Sequence, residues 1–422
     1  MTWSLATLGL TLLLVAGVSG RLTGTAVTPA MVVVAIGVLV GPLVLGDLTI
    51  GPSSETVRTL AEATLAVVLF SDASRVDLSA LRRERSIPIR LLGVGLPLTI
   101  VLGALAAAAL FPSLSLSGAL ILGVILAPTD AGLGSAVVTD PRLPQRVRQS
   151  LNVESGLNDG ICVPVLLIAL AAAEGTAQPV RVIIEEIGFG LLGGLLAGAA
   201  AGAVVRLGAP RRLIDEAWRP LVPIAAAILA YGIADALGGS GFIAAFIAGG
   251  LFGAIARPGA AGEMHFTEQA GALLGAVTFL VFGAVLLGPE LDHLTWQLIL
   301  YAVLSLTLVR MLPVALALVG THARAPTVGL IGWFGPRGLA SIVFAVIVED
   351  AQGPGSSPVL TAAYLTVGLS VMAHGASAVP LVRRYAAWYA RSGGSAEMEG
   401  GPAHEHRMRG PRAAAGGAPT RS

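Results

Sequence analysis

Between Leu151 and Gly160 the chain reads Leu-Asn-Val-Glu-Ser-Gly-Leu-Asn-Asp-Gly. On a helix, residues four apart share a face. That spacing sets Ser155 beside Asp159 and Glu154 beside Asn158. One face then offers a hydroxyl and a carboxylate, and the neighbouring face a second carboxylate and an amide. Hard oxygens of this kind suit small alkali cations, by extension of the rule for Mg²⁺ and Ca²⁺. A second group stands at Ala127-Pro128-Thr129-Asp130. Proline lacks an amide donor and disrupts a helix, so backbone carbonyls there and the Thr129 hydroxyl can face a cavity. A matching interruption, Gly335-Pro336-Arg337-Gly338, falls in the corresponding place of the C-terminal half. A broken helix in each half is the expected mark of an inverted repeat that binds an ion at the membrane midplane. Asp130 can then face the positive N-terminal ends of half-helices, and Arg337 the negative C-terminal ends.

These residues sit in a chain built for lipid. Of 422 residues, 55% are hydrophobic and only 12% charged, and mean hydropathy is +0.82. A soluble domain carries about 25% charged residues. The balance excludes a soluble enzyme, a disordered chain and a nucleic-acid binder. All 26 basic residues are Arg, which excludes chemistries that require Lys, such as a P-loop or a Schiff base. A single cysteine, Cys162, allows no internal disulfide and reads as a small packing residue. No organic cofactor is implied.

Thirteen apolar stretches approach the about 20 residues that a helix needs to cross a bilayer. They run over about 3–20, 26–46, 56–74, 88–111, 115–139, 149–173, 182–205, 218–237, 240–256, 265–288, 294–319, 327–348 and 358–382. The first has no preceding Arg, so it reads as a retained span rather than a secretory signal. With thirteen spans and the N-terminus outside, fifteen arginines fall in inner loops and only Arg58 and Arg181 in outer ones, in agreement with the positive-inside rule. The C-terminus is then cytoplasmic. From about residue 386 to 422 the composition turns to Gly, Pro, Ala and Arg, which predicts a disordered tail. In the stretch 182–205, Gly190, Gly194, Gly198 and Gly202 form a small-residue stripe for close helix packing or a dimer seam.

A charge at the bilayer centre costs at least about 2.5–3.5 kcal/mol on insertion scales, so each one inside a span calls for an explanation. They are Asp72, Asp130, Glu154, Asp159, Asp235, Arg310 and Arg337. Glu62, Glu185, Glu186 and Glu268 lie nearer span ends and can reach water. Asp72 reads either as a site member or as a charge at the entrance. Asp235 and Arg310 have no assigned role. The same oxygen ligands could line a channel. An intramembrane enzyme lacks support, since neither His-Glu-x-x-His nor Gly-x-Ser-x-Gly occurs.

The three segments, together with Phe70-Ser71-Asp72-Ala73-Ser74-Arg75, resemble the signature segments of the monovalent cation:proton antiporter-1 family, NhaP type. The likeness runs from about residue 5 to 385. It implies an all-α polytopic membrane protein with thirteen helices and crossed broken helices. It implies a core bundle over about 88–173 and 294–385, and a dimerisation scaffold over about 3–74 and 182–288, assembled as a homodimer in the cell membrane. It also implies exchange of Na⁺ for a proton, with Li⁺ or K⁺ as alternatives. Asp159 would bind cation or proton, with Ser155 and Thr129 as further ligands and Asp72 as a contributing acid. Glu154 and Arg337 would form a structural ion pair, and Asn158 would hold the geometry. The Asn158-Asp159 pair goes with electroneutral one-for-one exchange. A channel or uniporter without proton coupling is the alternative.

Overall fold

The computed structural model describes residues 2–41, 55–76, 86–174, 179–208, 211, 213–256, 263–352 and 358–392. Among them all regular structure is helical. Among the described residues eight helices are long and apolar enough to cross a membrane by length and composition, and three further apolar helices are shorter.

The elements follow the apolar stretches: α1 (Thr2–Leu22), α2 (Pro29–Val40), α3 (Glu55–Arg75) and α4 (Ser86–Leu110, with a π turn at Leu91–Gly95). The fifth stretch divides into α5 (Leu116–Ile125) and α6 (Ser135–Thr139). Then come α7 (Gln145–Glu174), α8 (Pro179–Gly208), α9 (Val222–Ala236), α10 (Gly241–Ala256) and α11 (Glu263–Val281, continued by a π turn at Phe282–Leu287). The chain closes with α12 (Trp296–Leu306), α13 (Leu308–Ala317), α14 (Ala325–Trp333), α15 (Leu339–Gln352) and α16 (Pro358–Arg391).

Local sequence explains the boundaries. Ser115 caps α5 by accepting from the Gly118 amide at 3.1 Å, and Thr295 caps α12 by accepting from Leu298. Each cap satisfies an orphan amide of the first turn. Pro29 and Pro326 sit in the first turns of α2 and α14, where a missing amide costs nothing.

Small residues set the packing. Gly190, Gly194, Gly198 and Gly202 of α8 all face α10, where an added Cβ would strike Ser240, Ala244, Ala248 and Ile255 respectively. The stripe is therefore spent inside the chain and not on a dimer seam. On its other side α10 presses Gly249 and Gly253 against the backbone of Phe70 and Ser74 in α3. In lipid, where burial gives helices no hydrophobic drive toward each other, such close approach supplies the dispersion contacts that hold them.

Two boundaries differ from expectation. The eleventh stretch is interrupted at Thr307 between α12 and α13. The last helix, expected over about 358–382, continues to Arg391. There Tyr385 is buried and packs on Trp388 and Tyr389, with ring centroids 5.3 and 6.3 Å apart. The rest of the expected tail, 393–422, lies outside the described residues, as do Arg82, Arg83 and Arg85 of the loop after α3.

Candidate cation site

The first broken helix and α7 meet through polar contacts. After α5 the chain leaves helical geometry over residues 126–134. Pro128 offers no amide there, and Thr129 follows it. The Ser155 hydroxyl donates to the Thr129 carbonyl at 2.6 Å and accepts from the Ala131 amide at 2.7 Å. The Asn158 amide nitrogen donates to Thr129 Oγ1 at 2.7 Å. Asn158 Oδ1 is buried and meets no hydrogen-bond donor. Asp159 follows on the same helix, 7% exposed. The structure thus gathers Thr129, Ser155 and Asn158 around one stretch of irregular backbone, with Asp159 one turn after Ser155 on the same helix.

The second broken helix lies against the first. The Asp130 amide donates to the Pro336 carbonyl at 2.8 Å. Asp130 Oδ1 accepts from Gly132 at 2.7 Å, and Oδ2 from the Leu339 amide at 3.3 Å. A carboxylate therefore stands at the N-terminus of α15, where the helix dipole favours negative charge. Gly338 is required beside it, because a Cβ would overlap the Asp130 carboxylate. Arg337 reaches the other way and donates through Nη1 to the carbonyls of Ala127 at 2.7 Å and Pro128 at 3.2 Å. These carbonyls lie just past the C-terminal end of α5, where the dipole favours a cation.

The ion pair expected between Glu154 and Arg337 is made instead by Glu154 and Arg310. Arg310 Nη1 and Nη2 donate to the two Glu154 oxygens at 2.6 and 2.9 Å, with both side chains 2% exposed. The fork geometry matches the carboxylate on both oxygens. Arg310 lies in α13, one turn after the break at Thr307, and packs so closely on Gly335 that a Cβ there would overlap its guanidinium. Arg337 is held by backbone carbonyls because it is itself part of the second break.

Asp72 stands on α3 across from Gly156 of α7, where an added Cβ would lie 3.7 Å from its side chain. It lines a cleft of about 460 Å³, open mouth included, with Arg75, Val76, Ala131, Gln149, Asn152, Val153, Ser155 and Gly156. The cleft reaches Ser155; Thr129 and Asp159 are not among its lining residues, and all three are buried.

A sequence model described as sodium/hydrogen exchanger, transmembrane, matches residues 9–384. The chain belongs to that family. It is 28% identical over 357 residues to a K⁺/H⁺ antiporter, NhaP, of Alkalimonas amylolytica, an alignment covering 84% of this chain and 62% of that one. It is 27% identical over 271 residues to a Na⁺/H⁺ antiporter of Schizosaccharomyces pombe, covering 58% and 57%. The fold is similar to the structure of a sodium proton antiporter of Methanocaldococcus jannaschii at pH 8, with a TM-score of 0.73 at 22% identity over 90% of this chain and 98% of that one. The chain spans about 62% of the length of the NhaP relative.

Within this exchanger frame three contributors escaped the sequence reading. Arg310 had a position but no partner. His374, buried in α16, stacks on Trp333 at 4.9 Å, and its Nε2 lies 2.8 Å from the Trp333 carbonyl at the end of α14. Ser370, one turn earlier, accepts from the Arg337 amide at 2.7 Å. A polar pair four apart in an apolar helix was the available signal for the last two. Only the fold shows that they face the second break.

Proposed function

We propose that this chain exchanges a monovalent cation for a proton across a membrane, one for one, with Asp159 as the carboxylate that takes either ligand. The observation that carries the reading is the meeting of Asp159's helix with the first break. Ser155 Oγ and the Thr129 carbonyl oxygen lie 2.6 Å apart, the buried Asp159 follows Ser155 by one helical turn, and Ser155 lines an open cleft. Those oxygens suit an alkali cation, and the relatives' names give both K⁺/H⁺ and Na⁺/H⁺ antiport. Na⁺ is the first cation to test, followed by Li⁺ and K⁺.

Competition for one charge produces coupling. A cation stabilises the Asp159 carboxylate and displaces its proton; a proton removes the charge and releases the cation. Carrying the ionised, empty site through hydrocarbon is costly, so the mobile part crosses only when loaded. One carboxylate then moves one positive charge in each direction. No observation favours the channel alternative.

The same proposal includes the membrane arrangement. The cleft opens at the ends of α3 and α7 that lead to residues 77–85 and 140–148, the Arg-rich loops that the positive-inside rule puts in the cytoplasm. The N-terminus is then outside, and thirteen segments cross. Core (about 88–173 and 294–385) and scaffold (about 3–74 and 182–288) pair in a homodimer. In support, α3, α8 and α10 pack together through glycines, whereas both breaks and α7 lie together in the proposed core.

The test is transport in proteoliposomes with an imposed pH gradient and Na⁺, Li⁺ or K⁺ added in turn. At least one cation should dissipate the gradient in the parent chain, and Asp159→Asn should abolish that response. Parent-like exchange in Asp159→Asn, or cation current without proton movement, would defeat the proposal.

A further inference from the structure

The cleft lies at the C-terminal end of α3, where Asp72, Arg75 and Val76 line it together with residues of α7. Arg58 stands at the other end of α3, 14 residues before Asp72 and so about 21 Å away along the helix. Side chains tie that end to its neighbours. Arg58 Nε donates to Glu62 Oε1, one turn on, at 2.8 Å, and its Nη1 donates to Asp350 Oδ2 of α15 at 2.7 Å. The Tyr231 hydroxyl of α9 donates to the second Glu62 oxygen at 3.2 Å. Beside Asp350, Glu349 is buried and accepts from the Tyr364 hydroxyl of α16 at 2.8 Å.

These contacts sort by the part of the molecule that they join. Tyr231, Glu62 and Arg58 connect α9 to α3 within the proposed scaffold. Tyr364 and Glu349 connect α16 to α15 within the proposed core. Arg58 and Asp350 connect the one part to the other, and they differ from the core's own contact in exposure, with side chains 49% and 47% accessible. We propose that the Arg58–Asp350 pair is a latch between scaffold and core: it holds the end opposite the cleft closed while the cleft is open, and it parts in every exchange cycle. The inference rests on the reading of the chain as an exchanger whose core moves against its scaffold. Rigid parts that shift against each other repack the ion pairs at their interface. The pair suits that task. Glu62 already orients the guanidinium, so little side-chain freedom is lost when Asp350 joins it. Half exposure lets water replace each partner, which keeps the contact weak. A buried pair such as Glu154–Arg310 would resist parting, because each charge would be stranded without water.

The experiment starts from a chain in which the buried Cys162 is replaced by Ala. Arg58→Cys and Asp350→Cys are added together, and the two thiols are joined by a short bis-methanethiosulfonate linker that a reductant removes. Cation-driven proton exchange in proteoliposomes should be lost in the linked protein and return after reduction, with each single cysteine variant unaffected by the same reagent. A linked protein that exchanges at its unlinked rate would overturn the proposal. The contribution of the charges is read separately, from the rate at which a maleimide labels Asn152→Cys in the cleft of the Cys162→Ala chain. Arg58→Gln should lower the ratio of cleft-open to cleft-closed protein roughly two- to fivefold, seen as slower labelling. The charge-swapped variant, Arg58→Asp with Asp350→Arg, should restore the rate. Labelling at the parent rate in Arg58→Gln, or a swap as slow as the single variant, contradicts the latch. Failure of the exchange reading looks different: the unlinked chain would then exchange no cation at all, while the labelling rates would still report the pair.

Discussion

The two broken helices share a backbone device and differ in what they present. The first, residues 126–134, turns oxygen atoms toward α7: the Thr129 carbonyl and hydroxyl meet Ser155 and Asn158. The second, residues 334–338, presents a guanidinium and two glycines that make room for charged neighbours. Arg337 meets carbonyls of the first break, while Asp130 of the first break meets the α15 end of the second. Each break thus supplies the charge that the other's helix end favours. The lesson is a division of labour. In the proposed exchange one interruption holds the cation, and the other holds the first interruption in shape.

If that division is right, damage to the supporting half should appear as lost stability, and damage to the liganding half as lost cation affinity. The largest effect concerns Glu154, next to the proposed ligand Ser155 but bound to the supporting side. Glu154→Gln leaves the buried Arg310 guanidinium without its counter-charge and should cost roughly 3–5 kcal/mol, read as a large fall in the thermal midpoint. Adding Arg310→Met should recover most of it, since a buried pair replaced as a unit is often nearly neutral. A single variant as stable as the parent would remove Arg310 from the account.

Ser155→Ala sharpens the comparison from the liganding side. Loss of one neutral oxygen contact should raise the cation KM roughly 2- to 10-fold, the equivalent of about 0.5–1.5 kcal/mol, with little change in melting. Its counterpart is Ser370→Ala, which deprives the Arg337 amide of its acceptor. That variant should lower stability by about 1 kcal/mol and leave KM unchanged. Exchanged phenotypes between these two serines would break the division. The smallest expected effect is Asp130→Asn, which keeps an acceptor at the α15 N-terminus but removes its charge. It should cost about 0.3–1 kcal/mol in thermal unfolding, without altering the one-for-one exchange ratio.

How legible all this was depends on the kind of signal. The breaks show in the sequence because Pro128 and the Gly335–Gly338 segment are local letters with local consequences. The liganding helix shows because Glu154 and Asp159 are acids in an apolar run, a costly choice that demands a reason. Partner choice does not show. Arg310 and Arg337 are both buried cations in the C-terminal half, and nothing in sequence distance tells which of them Glu154 will meet. The break at Thr307, which precedes Arg310 by one turn, carries no glycine and no proline of its own. The glycine stripe on α8 signalled close packing, but only the fold identifies α10 as its partner. Acids near span ends were also underread. Glu349 accepts from Tyr364 and Glu290 from Thr361, each at 2.8 Å, long-range choices that an apolar period cannot encode.

The central claim is that a proton and a cation compete for the Asp159 carboxylate. Its most direct measurement is cation affinity as a function of pH, by calorimetry on purified protein. Below the pH at which the carboxyl group titrates, each unit of acidification should weaken binding tenfold, with one proton released per cation bound, and Asp159→Asn should abolish that dependence. Affinity that stays constant with pH, or binding in Asp159→Asn that retains the parent's proton release, would contradict the account.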